Sequence, residues 1–467
     1  LMVIFGLSET EWLQSTTTHV METTGKNYAK LMQIFSLIPN SMQYEPNDQI
    51  GIPWDLNKIA QLLFFISLSA TVVCLICART KAKRWWIGGL GLLLSAVLLT
   101  GYFIPVSVPV MDLSAASETA DTTYYDMIHK DCQKDEAADF RVKKYQLDFS
   151  MGLNLTGRAK VYVDRSELKS YRFTLYHGYK VKQVTDQTGA ALDFRREYDY
   201  VTVTRGGAAV EYLCLEYTGK SPKYYSSYAG VCLPANFAYY PIPGYRELFK
   251  DNFYGFIDCS LPYDTAFDVR CSGRKQMYCN LAARGDNHFA GNARSITLLS
   301  GYYDTLKLND TLVVYPKYAD GEIQARIKKN MGTFTKQHRD IHTIFIMGAD
   351  NLTPYEHLRS YDGYVVTNSM IDMEQSYFES QIDISKMDFY KTFVYYYNEK
   401  VDREELEQLK QSEDPEEYPM VQIILKLSAS KNREAAAAET EQYLTNSKDT
   451  RAPMTFLQEL GEKYAKA

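Results

Sequence analysis

Histidine is scarce in this chain. There are seven in 467 residues, and none is followed by glutamate. That excludes an H-E-x-x-H helix, in which two imidazoles on one face hold zinc and the glutamate activates water. A G-x-S-x-G elbow, a Walker-type phosphate loop and a dinucleotide fingerprint are also missing. Serine-hydrolase, P-loop and Rossmann chemistry are set aside with them. Gly206-Gly207 reads as a hairpin turn, not a phosphate cradle. Basic residues are not in excess: 51 Lys and Arg stand against 57 Asp and Glu, a net charge of -6. With no basic face outside one short loop, no nucleic-acid partner is expected. Of the eight cysteines, Cys74 and Cys77 lie in an apolar run and read as small apolar residues. The others are Cys132, Cys214, Cys232, Cys259, Cys271 and Cys279. They show no zinc spacing, so no metal or other cofactor is expected. In an oxidising compartment they permit disulfides without fixing connectivity. Cys271 and Cys279 flank the turn Ser272–Lys275 and read as facing each other across a hairpin, either bridged or packed as thiols.

What the chain does have is apolar length. Neither Ile59–Ala78 nor Ile87–Val106 contains a charge. About 20 such residues at 1.5 Å rise cross a hydrocarbon core of about 30 Å. Between the runs lies Arg79–Trp86, with Arg79, Lys81, Lys83 and Arg84 as its charges and a tryptophan pair at its edge. Basic loops stay cytoplasmic and tryptophan sits at headgroup level. These four residues therefore set the topology, with both flanking segments extracytoplasmic. The 38 tyrosines suit a wet β-rich surface or an aromatic binding surface.

In chain order, Leu1–Gly6 reads as the end of a preceding membrane helix and Leu7–Lys58 as an extracytoplasmic loop. After the hairpin, Ser114–Thr123 is a polar linker. Alternation then sets in: Tyr145, Leu147, Phe149 and Met151, later Ala159, Val161 and Val163, then Leu213, Leu215 and Tyr217. Period two marks half-buried strands, and Gly-containing turns separate them. Near Gly321 the period changes, with Ile323, Ile327 and Met331 on one helical face. His342–Met347 reads as a strand. Helices follow over Phe389–Lys410, Met420–Leu427, Glu434–Leu444 and Pro453–Lys463, with Glu413–Glu417 as an acidic loop. The expected fold is a membrane helical hairpin plus an α+β ectodomain: an antiparallel β-sandwich or saddle, then a smaller mixed and helical region. The expected segments are 1–58, 59–106, a linker over 107–135, a β-domain over 136–318, and 319–467.

The stretch Arg141–Pro316 resembles the N-terminal β-domain of the aminopeptidase N (gluzincin) family of zinc peptidases. The likeness is carried by Leu155-Thr-Gly-Arg-Ala159, Leu175–Val184, Tyr200-Val-Thr-Val203, Leu213–Gly219, Tyr239-Tyr-Pro241 and Ala266-Phe-Asp-Val269. The resemblance implies a zinc helix downstream, and there the chain departs. His338-Arg-Asp-Ile-His342 has the spacing without the glutamate, and Met373-Glu-Gln-Ser-Tyr377 has no histidine. Asn398-Glu399 echoes a third-ligand helix without the other two ligands. The family's substrate-amine loop is echoed by Gly348-Ala-Asp-Asn351 and Tyr361-Asp-Gly-Tyr-Val-Val366. The resemblance thus implies a degenerate catalytic part, with Gly348, Asp350, Asn351, Tyr361 and Asp362 as peptide-binding candidates. The membrane part resembles a fragment of an ABC-2-type transporter permease. The expected function is an integral membrane protein with a non-catalytic, peptide-binding or peptide-sensing extracytoplasmic domain. Its partners would be the lipid bilayer, an ATP-binding transporter subunit and a peptide. The alternatives are a membrane-anchored zinc metallopeptidase and a solitary anchored binding or structural ectodomain.

Overall fold

The computed structural model describes residues 56–103, 121, 123–221, 223–250, 255–317, 321–347, 358–367, 373–398, 410 and 417–464. The readings made for Leu1–Gly6, for nearly all of Leu7–Lys58 and for most of the acidic loop lie outside them.

Two helices open the described chain, α1 (Leu56–Cys77) and α2 (Lys81–Tyr102). Both are long and apolar enough to cross a membrane. Their connection is shorter than the sequence suggests. Only Ala78, Arg79 and Thr80 lie outside the helices, and Lys81, Lys83, Arg84 and the two tryptophans form the first turns of α2. The cause is local: Thr80 is extended, and its hydroxyl accepts the Lys83 N–H, so the helix starts there. Arg84 Nε donates to the Ala78 carbonyl at 3.0 Å and ties the turn down. Small residues let the helices approach. A Cβ on Gly91 would lie 2.1 Å from Thr71 Oγ1, and one on Gly101 would lie 2.7 Å from the Ala60 Cβ. Ser95 Oγ donates to Ser67 Oγ at 3.1 Å between the two helices. The outer faces are apolar and open: Trp85 is 82% exposed, Trp86 80% and Ile76 74%.

The chain divides into two compact units. Leu1–His357 with Tyr361–Ile371 forms the first, and Asp372–Ala467 with Leu358–Ser360 forms the second. In the first, a seven-stranded sheet runs in the order Ala282–Gly285, His288–Ala293, Thr265–Ser272, Val142–Met151, Leu155–Val163, Tyr212–Gly219, Tyr179–Thr185. The sheet is not wholly antiparallel. Val142–Met151 pairs in parallel with Thr265–Ser272, Tyr145 opposite Phe267. A parallel pair needs a long crossover, and Leu155–Leu261 supplies it. Phe194–Glu197, Tyr200–Thr204, Ser170–Thr174 and Ile242–Pro243 form a second sheet, in that order. The alternating residues face inward: Tyr145, Leu147, Phe149 and Met151 are all buried.

The tyrosines do not make the wet surface that their number suggested. Tyr145, Tyr171, Tyr176, Tyr179, Tyr217, Tyr224, Tyr225, Tyr239 and Tyr240 are among the largest fully buried side chains. For several of them burial is tolerated because the phenol hydroxyl finds a backbone carbonyl. Tyr145 donates to Pro241, Tyr217 to Tyr239 and Tyr239 to Ile296, each at 2.8 Å.

The same unit continues into a mixed sheet, with Tyr303–Leu308, Thr311–Pro316, Thr343–Ile346 and Tyr364–Thr367 in that order. Of these, Thr311–Pro316, Thr343–Ile346 and Tyr364–Thr367 are parallel, with Val313 opposite Ile344 and Ile344 opposite Val365. Helix α3 (Gly321–Gln337) makes the first crossover and buries Ile327, Met331 and Phe334.

The second unit is helical: α4 (Met373–Ser380), α5 (Met387–Asn398), α6 (Glu417–Ser428), α7 (Arg433–Thr445) and α8 (Pro453–Tyr464). Its core is aromatic, with Tyr443 stacked on Phe456 at 4.0 Å and Phe393 on Tyr397 at 4.6 Å. Lys386 is buried and donates to the Tyr443 and Asn446 carbonyls, 2.7 and 2.8 Å away at the end of α7.

Candidate functional site

A cluster of buried titratable groups forms where Asp121–Cys132 joins the β-rich unit. The sequence reads as a polar linker up to Thr123, yet Asp121 is only 2% exposed. One π-type helical turn, Thr123–Ile128, sets Tyr124 and Tyr125 side by side. Tyr125 is buried, stacked on Phe249 at 5.0 Å and edge-on to Phe256. Tyr124 lies flat on the His177 ring, with centroids 3.5 Å apart.

The β-rich unit supplies the partners. His177 sits in the bend between Ser170–Thr174 and Tyr179–Thr185, and Asp199 in the tight turn before Tyr200–Thr204. Tyr198 holds a positive φ of 54° in that turn, which tightens it at a local cost. The Tyr176 hydroxyl donates to Asp121 Oδ1 at 2.6 Å. Asp199 Oδ1 accepts the His177 backbone N–H at 2.6 Å and the Tyr125 hydroxyl at 3.3 Å. The His177 Nδ1 lies 3.3 Å from the same hydroxyl. Arg196 donates to the carbonyls of Leu175, Tyr176 and Tyr179 and fixes the bend.

Burial pushes the Asp121 carboxyl up to about 6, and Asp199 adds to the rise; the Tyr176 hydrogen bond, His177 and Lys223 oppose it. Burial also raises the Tyr125 and Tyr176 phenols well above their usual range. Asp121 Oδ2 has no hydrogen-bond partner among the described residues. The arrangement can hold a proton on Asp121 up to about pH 6 and tie the segment after α2 to the β-rich unit. Burial keeps Asp121 from meeting a substrate, so its chemistry is that of a latch. Among the described residues, no three His, Cys, Asp or Glu side chains converge as metal ligands do.

The residues singled out from the sequence lie elsewhere. Gly348, Asp350 and Asn351 are outside the described residues. Tyr361 and Asp362 lead into a turn closed by Gly363, whose φ of 78° suits glycine. Asp362 is exposed, and Tyr361 stacks on Tyr364 at 4.8 Å. Tyr364 in turn is anchored to Ser295, hydroxyl to hydroxyl at 3.2 Å. The His342 N–H donates to the Gly363 carbonyl at 2.7 Å, so that turn and His342 are neighbours. His338 and His342 do not share a helical face, because α3 ends at Gln337. Met373–Tyr377 opens α4, and Asn398 ends α5.

Cys271 and Cys279 do not face each other across a hairpin. Cys271 lies on Thr265–Ser272, whose antiparallel neighbour is His288–Ala293, whereas Cys279 pairs with Leu298 in a separate small sheet. Both thiols are free, and burial pushes Cys279 up to about 12 and Cys271 higher still. Arg79, Lys81 and Lys83 are exposed at the start of α2. Sequence reasoning missed Asp121, Tyr176, His177 and Asp199. The available signal was the Tyr124-Tyr125 pair, out of place in a solvated linker.

No protein-family profile matches the sequence, and no curated protein matches it. Among solved structures, the chain is similar to yeast LTA4 hydrolase in complex with bestatin, with 10% identity and a TM-score of 0.38. The match covers 70% of this chain and 62% of that one, so this chain spans about three fifths of the yeast protein. It is also similar to an M1 zinc metallopeptidase from Deinococcus radiodurans. Here identity is 11% and the TM-score 0.35, over 71% of this chain and 88% of the other.

Proposed function

We propose that this is an integral membrane protein whose α1–α2 hairpin carries an extracytoplasmic peptide-binding region, and that it works with an ATP-binding transporter subunit. The observation that carries the membrane part is the outward apolar face of both helices beside a basic turn with no ion pair among the described residues. Peptide binding is supported by an open sheet edge. Ala282–Gly285 ends the seven-stranded sheet, all four residues exposed, with no outer partner among the described residues. An extended peptide can add there as a strand. The Tyr361–Asp362 turn offers an exposed carboxylate for a peptide amine.

Gentle detergent purification of the full chain tests the transporter part. A stoichiometric ATP-binding subunit supports it, whereas a lone chain reduces the reading to an anchored binding region. For the amine site, Asp362→Asn should weaken binding of free-amine peptides several-fold, read by fluorescence anisotropy, and leave N-acetylated peptides unchanged. Equal loss for both would remove Asp362 from the site. The zinc-peptidase alternative predicts peptide cleavage that a chelator abolishes, and the same assay with product analysis decides it.

A further inference from the structure

An outward groove of about 460 Å³ runs along α2, lined by Trp85, Trp86, Gly89, Leu90 and Leu93. Gly89 forms its floor: no atom lies within 4 Å of a Cβ built there. At 3.6 residues per turn, Lys81 and Lys83 fall on either side of this face, Lys81 about one turn before Trp85 and Lys83 about one turn before Trp86. Both lysines are exposed, and neither has an ion-pair partner among the described residues. Between Ile59 and Met111 the sequence contains no carboxylate. An apolar trough thus opens beneath two uncompensated cations, with an amphipathic ring pair between them.

We infer that this groove binds one anionic glycerophospholipid, with an acyl chain along Gly89, Leu90 and Leu93 and the phosphate between Lys81 and Lys83. Tryptophan rings suit the glycerol level. Lysine stems lie along apolar surface while their heads reach the phosphate. A zwitterionic headgroup brings its own cation to the same place and gains less. Charge selects the headgroup and shape holds the chain. The inference rests on the membrane placement proposed above.

Native mass spectrometry of the full chain in detergent tests it, with phosphatidylglycerol and phosphatidylcholine of identical chains. One phosphatidylglycerol should be retained at about tenfold higher occupancy than phosphatidylcholine, given two lysines near the phosphate. The double variant K81Q/K83Q should bring the two lipids to parity. Gly89→Leu should fill the groove and lower both, while V73A/I76A, on the open face of α1, should change neither. Equal occupancy in the parent chain overturns the inference, as do adducts that Gly89→Leu leaves unchanged. Displacement by inorganic phosphate alone overturns it in favour of a free anion. Carbonate extraction separates the two readings. A chain that washes off membranes sinks the membrane placement and this site together, whereas a retained chain without headgroup preference sinks this site alone.

Discussion

At the scale of single residues, Asp121 decides how the segment after α2 is held. Its carboxyl is buried with one hydrogen bond, from Tyr176, and one oxygen without a partner among the described residues. A charge placed so is costly, so the group holds its proton up to about pH 6. The folded value of about 6 lies above the ordinary 3.8. Between those pH values the native state holds a proton that the unfolded chain has released. This contribution to stability is therefore complete below about pH 4 and is lost as pH rises through 6. The full amplitude is about 3 kcal/mol. Asp186, Asp383 and Asp449 act in the opposite sense, because hydrogen bonds from Thr188, Ser385 and Arg451 hold their carboxyls low. Comparing Asp121→Asn with the parent chain at each pH cancels those groups. The asparagine still accepts from Tyr176 and carries no charge. The variant's melting temperature should match the parent below about pH 4 and exceed it by several degrees at pH 7.5. A difference that stays flat with pH would mean that Asp121 is not held as the structure has it.

At the scale of elements, the apolar helices were legible because a continuous charge-free run has few readings. The turn between them was not, because helix start depends on the Thr80 hydroxyl meeting one N–H, which hydropathy does not encode. The strand at Val142–Met151 was legible from alternation, but its parallel partner Thr265–Ser272 was not. Period two fixes which face is buried and says nothing of direction. Two of the four glycines of α2 make the point experimentally. Gly91 and Gly89 are two residues apart and look equivalent in sequence. Of this pair only Gly91 packs against α1, with Thr71 atoms 2.1–2.8 Å from an added Cβ. Gly91→Leu should force the helices apart, while Gly89→Leu should leave their packing unchanged. Crosslinking between cysteines placed at Ser67 and Ser95, whose hydroxyls are 3.1 Å apart, reads the difference. The yield should fall several-fold for Gly91→Leu alone. Equal yields in the two variants would refute the packing.

At the scale of the whole molecule, two separate cores organise the chain. One gathers the inward faces of the β-rich sheets, from Tyr125 to Val366. The other runs from Ile382 to Leu460 and is built on stacked rings. The sequence changes period near Gly321, where α3 begins, and α3 belongs with the first unit, where it covers a mixed sheet. A helix that bridges two parallel strands reads locally like any other amphipathic helix. The candidate latch was hidden for a related reason: Asp121 meets Tyr176, and Tyr125 meets Asp199, across gaps that no local pattern spans. Separate cores predict separate responses to a cavity. Phe456 is 1% exposed and stacks on Tyr443. Phe456→Ala should destabilise the second unit by about 3–5 kcal/mol, the range for deleting a buried ring. Amide exchange should then accelerate throughout α5–α8. Exchange in Val142–Met151 should stay at the parent rate, since its protection rests on the other core. If both regions speed up together, the chain unfolds as one cooperative body, and the division seen in the packing is not a division in stability.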